Sequence, residues 1–212
     1  MSASSTRQAI LDRIRAATRN DANSYADLPR NYIRHGALDS GQCLQLMTER
    51  LREYGADVVE SSASELPAVI AHQLISCGRH HFVVSAGAPA EWLAPSLSWK
   101  VDNDLPHDEI EHCGGVVTAA SAGVADSGTI VLHHSAAEGR RVITLLPDFH
   151  LCVLRASQIV ETLPEYFARC LEPPRLTTFI SGPSATADIE MTRIKGVHGP
   201  RFLSVIIVRD DA

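Results

Sequence analysis

With 212 residues, 45% of them apolar, the chain has ample material for one packed core. Its 19 basic and 25 acidic side chains leave a net charge of −6, which argues against a nucleic-acid backbone or an anionic membrane as the main partner, and five Phe, two Trp and four Tyr are too few for an aromatic stacking platform. No apolar run approaches the roughly 18–20 residues of a membrane span and the N-terminal stretch is amphipathic, so the reading is a cytoplasmic protein.

The pattern opens with a helix. Ser4 or Ser5 stands as a cap, and Ile10, Leu11, Ile14 and Ala17 recur at helical spacing. A polar connector over residues 20–38 follows, containing Leu28-Pro29-Arg30. Asp39 or Ser40 then caps a second helix with Leu44, Met47 and Leu51 on one face and Gly55 past its end, where glycine turns left-handed without strain. "ADVVE" reads as a strand. Ser62 and Glu65 have capping-box spacing ahead of Val69, Ile70 and Leu74, Gly78 ends that helix, and "HHFVVS" is another strand. "GGVVTAASAG" and "GTIVLHH" are strand-like around Val124-Ala125-Asp126-Ser127, "HLCVLRAS" is apolar and extended, residues 162–171 are helical, and "TTFIS" is a further strand. Capped amphipathic helices alternating with β-branched strands predict an α/β fold, a largely parallel sheet with flanking helices. Residues 1–38 read as an N-terminal helix and connector and 39–212 as the main α/β domain, although no linker prevents the whole from being one continuous domain.

Ligands of such sheets bind beyond the carboxyl ends of strands, where helix N-termini offer free amides. "TTFIS" followed by "GPSATADIE" has that form. Gly182 and Pro183 make a turn, Ser184 occupies an N-cap position, and Thr186 and Asp188 fall in the first turn of an expected helix. Ser181, Ser184 and Thr186 offer hydroxyls to an anion, whereas Asp188 suits the helix's own positive end. A plain capped helix start explains the same residues equally well. Asp126 and Ser127, followed by Gly128 and Thr129, read either as a tight turn or as a site in which Asp126 is a base or hydroxyl acceptor. His198, between glycines near the last strand, reads either as a proton shuttle or as a packed turn histidine.

Several lookalikes are weaker. Ala119-Ala120-Ser121-Ala122-Gly123 approaches the G-x-S-x-G elbow, but no helix pattern follows Ser121. His133 and His134, adjacent in a strand-like run, would point to opposite faces, and "HDEIEH" over 107–112 is explained by a solvated acidic turn, so no metal site is expected. The five cysteines, 43, 77, 113, 152 and 170, form no CxxC, which speaks against an iron-sulfur cluster held by this chain alone. No Walker A or GxGxxG fingerprint occurs.

Four motifs in order, "VVTAASAGVADSGTIVL", "RRVITLLPDFHLCVL", "ISGPSATADIE" and "GVHGPRFLSVIIV", resemble the LUD domain family and its lactate-utilisation group. The likeness is dense over roughly residues 110–208, and "LPRNYI" extends it thinly toward the N-terminus. The family's usual Ala-Glu-Thr-Gly-Thr is here Ala125-Asp126-Ser127-Gly128-Thr129, each of the two changed side chains one carbon shorter. The resemblance implies a NagB/RpiA/CoA-transferase-like α/β fold. It also implies an accessory or substrate-binding subunit in a three-protein system that oxidises L-lactate to pyruvate, beside two iron-sulfur-binding partners. On that reading the chain carries no cofactor of its own and binds a small carboxylate or other anion; the resemblance assigns no catalytic residue, and side-chain chemistry nominates Asp126 and His198 as bases with Ser127, Gly128, Thr129, Ser181, Gly182, Ser184, Thr186 and Asp188 at the ligand. The alternative is a stand-alone enzyme of the same fold acting on a CoA ester or phosphorylated substrate.

Overall fold

The computed structural model describes residues 3–18, 28–172, 174–183, 185–187, 193–195 and 198–210. The chain divides into two compact units, residues 1–33 and 34–212. The first contains α1 (Ala3–Thr18), on which Asp12 accepts from Gln8 and Arg15 one turn to either side. Because α1 begins at Ala3, Ser4 and Ser5 lie inside its first turn and neither is the cap.

The second unit begins its regular structure with α2 (Ser40–Glu53). Asp39 accepts from the Gln42 amide at 2.8 Å while the Gln42 side chain accepts from the Asp39 amide at 3.0 Å, a complete capping box. Beyond the helix Gly55 stands at φ +83° and turns the chain into β1 (Asp57–Ser61). Ser62 Oγ accepts from the Glu65 amide at 3.3 Å just before α3 (Leu66–Ser76), and β2 (His81–Ser85) follows. The chain then forms β3 (Ser98–Asp102), α4 (His107–Glu111), β4 (Gly115–Ala119), β5 (Ala122–Val124), β6 (Thr129–Leu132) and β7 (Phe149–Arg155). It continues through β8 (Ile159–Val160), α5 (Leu163–Arg169), β9 (Thr178–Ile180), β10 (Ala185–Ala187), β11 (Arg193–Lys195) and β12 (Phe202–Val208).

Six strands in the order β1-β12-β7-β4-β2-β3 form a wholly parallel sheet. Its central strands are buried along nearly their whole length because both faces are covered. On one face Met47 and Leu51 of α2 pack with Leu154, Val205 and Ile207 and with Ile130 and Leu132 of a second sheet. On the other, Ile70 and Leu74 of α3 meet Phe82, Val84, Leu151 and Ile206. Met47, Leu51, Ile70 and Leu74 are fully buried, each worth about 1.5–3 kcal/mol of transfer free energy. The fold is therefore α/β, as the alternation of elements predicts.

The second sheet, β8-β5-β6-β9, is mixed, with β6 antiparallel to both β5 and β9. Three expectations are corrected here. "HDEIE" forms the short helix α4 rather than a solvated turn, because Ile110 is fully buried against Val83, Val116 and Ile143. His133 and His134 lie past the end of β6 and not within it. His133 Nε2 is 2.8 Å from the Tyr166 hydroxyl, and His134, at φ +54°, places Nδ1 2.9 Å from the Gly139 carbonyl. The helix expected after Gly182-Pro183 is a strand instead: Thr186 pairs with Ile194 in an antiparallel β10–β11 ribbon, and both are β-branched residues suited to extended backbone. Ser121 is followed directly by β5, and its hydroxyl donates to Glu138 at 2.5 Å. Among the described residues no helix is long and apolar enough to cross a membrane, and no group of three or more His, Cys, Asp or Glu is placed to hold a metal ion.

Candidate functional site

Two of the loops singled out in the sequence meet at the C-terminal end of α2. The turn 125–128 joins β5 to β6, with Gly128 at φ +59° and so close to α2 that a Cβ there would lie 2.7 Å from Arg50 Cβ. Arg50 Nε donates to the Asp126 carbonyl at 3.2 Å and fixes the turn against the helix. Gly182, at φ +87°, is seated as tightly, since its Cβ would fall 2.5 Å from Tyr54 Cβ. Both glycines thus have a packing reason as well as a conformational one. Between the two loops the hydroxyls of Ser127, Thr129 and Ser181 form a chain, Ser127 Oγ to Thr129 Oγ1 at 2.8 Å and Thr129 Oγ1 to Ser181 Oγ at 2.8 Å.

Ser181 is also in the wall of a cavity of about 320 Å³. Gly182 and His198 line the same cavity, so three of the expected residues, drawn from two separate segments, come together. Asp126, Ser127, Gly128 and Thr129 do not line it, and the last of them reaches it only through Ser181. Asp126 and Ser127 are exposed on the turn. The side-chain placements expected for Ser184, Thr186 and Asp188 lie outside the described residues, although the backbone of Thr186 belongs to β10.

The cavity does not sit at the carboxyl edge of the parallel sheet, where the loop after "TTFIS" is expected to lie. That strand, β9, belongs to the second sheet, and its loop comes down over the face of the first near His150 and Leu203, the second residues of β7 and β12. Arg201 and Arg79 fix the nearby chain by gripping Asp148, at 2.5 Å and 2.8 Å. The Arg201 bond, with that of Arg79, holds the Asp148 carboxyl below the usual carboxylate range. The Phe202 amide also donates to the Asp148 carbonyl at 3.2 Å, so the segment that carries His198 enters β12 from a fixed point.

Two residues of the cavity escaped the sequence reading. His150 is 1% exposed, and its Nε2 lies 2.8 Å from Thr118 Oγ1. Burial pushes its imidazole down to about 4, which leaves it neutral near pH 7, with one ring nitrogen a donor and the other an acceptor. Its signal was a polar side chain inside the otherwise apolar run "FHLCVL". Arg141, exposed at the rim, forms no ion pair among the described residues. An exposed guanidinium, two imidazoles, a serine hydroxyl and a glycine turn make a site that can hold a small carboxylate and hydrogen-bond a neighbouring hydroxyl.

Comparison with known proteins agrees with this architecture. The chain is 38% identical over 208 residues to a protein of Deinococcus radiodurans named lactate utilization protein C, covering 96% of this chain and 97% of that one. A protein of the same name from Geobacillus thermodenitrificans is 28% identical over 79% of this chain and 78% of its own length. The crystal structure of a DUF162 family protein from Deinococcus radiodurans superposes with a TM-score of 0.69 at 38% identity, over 81% of this chain and 99% of that one. The LUD domain model matches residues 12–208, and the chain belongs to the LUD domain family.

Proposed function

We propose that this protein serves lactate utilisation as a ligand-binding subunit without a redox centre of its own, holding L-lactate while two iron-sulfur partner proteins take its electrons. The relatives named lactate utilization protein C support the pathway. The observation that carries the subunit's role is the convergence of Arg141, His150, Ser181 and His198 on one small cavity. Arg141 suits the carboxylate, and the imidazoles with Ser181 suit the 2-hydroxyl. Oxidation of a 2-hydroxy acid to a keto acid releases two electrons and two protons. No side chain accepts hydride, so the electron acceptor comes from the partners, and this chain's part is to bind, orient and accept a proton.

The test is reconstitution with both iron-sulfur proteins, following pyruvate formation with an artificial electron acceptor. The isolated chain is expected to turn over no lactate, and activity appears when both partners are added. His198→Gln in the cavity and Asp126→Asn on the exposed turn then separate two placements of the base. Loss of turnover confined to His198→Gln puts it in the cavity, and loss confined to Asp126→Asn puts it on the hairpin. Lactate oxidation by the isolated chain would overturn the accessory role.

A further inference from the structure

A second cavity, of about 440 Å³, opens at the carboxyl ends of β2 and β3. The chain leaves β2 for β3 at the sheet edge and returns to β4 on the other side of β2, so strand order reverses between β2 and β4, beside the cavity. The turn 135–139 closes over it. Gly87 donates to the Ala136 carbonyl and Ala119 to the Ala137 carbonyl, each at 3.2 Å, which ties the turn to the ends of β2 and β4. Glu138 holds the turn from inside, its carboxylate 2.8 Å from the His133 amide and 2.9 Å from the Ser135 amide. Gly139, at φ +76°, comes so near that a Cβ would be 2.8 Å from Ser85 Cβ.

Two observations point to a ligand. Ser85 is in the cavity wall and 3% exposed, yet its hydroxyl has no hydrogen-bond partner among the described residues. A buried hydroxyl left unpaired costs stability, and such groups are rare unless something meets them. The second is the contrast between neighbouring arginines. Arg140 is fully engaged, with Nε at 2.8 Å and Nη2 at 2.5 Å from the two Asp102 oxygens and Nη1 at 2.7 Å from Asp104. Arg141 also lines the cavity and has no ion pair among the described residues. The Asp102 carboxylate is in the wall too, but Arg140 and the Leu105 amide already occupy its oxygens, which removes most of its repulsion toward an anion.

We propose that this cavity is a second site, for a small oxyanion such as a phosphoryl or carboxylate group, with Ser85 donating its hydroxyl and Arg141 supplying the charge. Arg141 is shared between the two cavities, whereas Ser85 belongs only to this one and His198 only to the first.

Titration calorimetry and thermal unfolding of the full chain, with sodium phosphate in one arm and sodium acetate in the other at matched ionic strength, test the site. Saturable binding that Ser85→Ala weakens identifies a phosphoryl group in the phosphate arm and a carboxylate in the acetate arm. Ser85→Ala should weaken that binding about tenfold or more, the worth of one hydrogen bond to a charged group, and leave the unliganded melting temperature unchanged or higher. His198→Gln should leave it intact. Absence of saturable binding in both arms, wild-type affinity in Ser85→Ala, or a lower unliganded melting temperature in Ser85→Ala would each overturn the proposal. The measurement needs no partner protein, so failure of lactate turnover in the reconstituted system leaves its outcome untouched.

Discussion

Acidification should reveal the buried His150. Its imidazole is held down to about 4 by burial, against an ordinary value of 6.5. The unfolded chain therefore takes up this proton first as the pH falls, and stability present above pH 6.5 is lost progressively down through about pH 4. Each unit of difference is worth about 1.4 kcal/mol, so this one residue removes about 2 kcal/mol between pH 7 and pH 5 and about 3 kcal/mol by pH 4. The measurement is urea unfolding at half-unit steps from pH 7 to pH 5. This window excludes Asp102 and Asp148, whose lowered carboxyls lose their contribution only near pH 4 and below. His150→Asn has no proton to gain and should flatten the profile over the same range. A wild-type stability that is level between pH 7 and pH 5, or an equal slope in His150→Asn, would refute the assignment of the slope to this residue.

Two further perturbations have definite directions. Glu138→Gln keeps the shape of a side chain that is 1% exposed but removes the charge from its bonds to Ser121, His133 and Ser135, and should cost about 2–3 kcal/mol in urea unfolding. A loss under about 0.5 kcal/mol would mean the carboxylate does not hold the turn. Gly182→Ala must place a Cβ 2.5 Å from Tyr54 Cβ at a φ of +87°, so a loss of about 2 kcal/mol or more is expected, accompanied by weaker lactate binding as Ser181 shifts; an unchanged melting temperature would contradict the close approach.

The parts of this fold that follow local rules were legible in the sequence. A cap at Asp39 or Ser40, or Gly55 after a run of helical periodicity, acts through neighbours along the chain, and the structure has Asp39 as the cap and Gly55 in the left-handed turn. The second sheet was harder to read. β5 is Ala-Gly-Val and β8 only Ile-Val, too short to display a period of their own. β3, Ser98–Asp102, has only one buried residue, as an edge strand can, and so gave no strong apolar signal. At the candidate sites the missing information is nonlocal. Asp102 and Arg140 are 38 positions apart, and nothing in either neighbourhood announces that a buried carboxylate meets that guanidinium. Ser181 and His198 were visible as hydroxyl and imidazole in glycine-rich turns, but that His150 rises from the sheet to meet them depends on β9 crossing above it. The β10–β11 ribbon was misread because Ser-Ala-Thr-Ala-Asp satisfies helix-start preferences, while its strand partner lies beyond the window over which capping is judged.

The place of β12 between β1 and β7 sets a timetable for synthesis. Strand β1 stands at the sheet edge with β12 as its one neighbour among the described residues, and the two are separated by about 140 residues of chain. A ribosome adding roughly 5–20 residues per second leaves β1 without its hydrogen-bonding partner for about 7–30 seconds. Through that interval β7, β4, β2 and β3 can pair among themselves, but β7 keeps an open edge and the apolar side of α2 lacks Val205 and Ile207. The last long strand therefore acts as a keystone. Until it arrives, the nascent chain exposes two unpaired edges, of β1 and β7, that both await the same strand, the condition under which neighbouring copies on one messenger exchange strands.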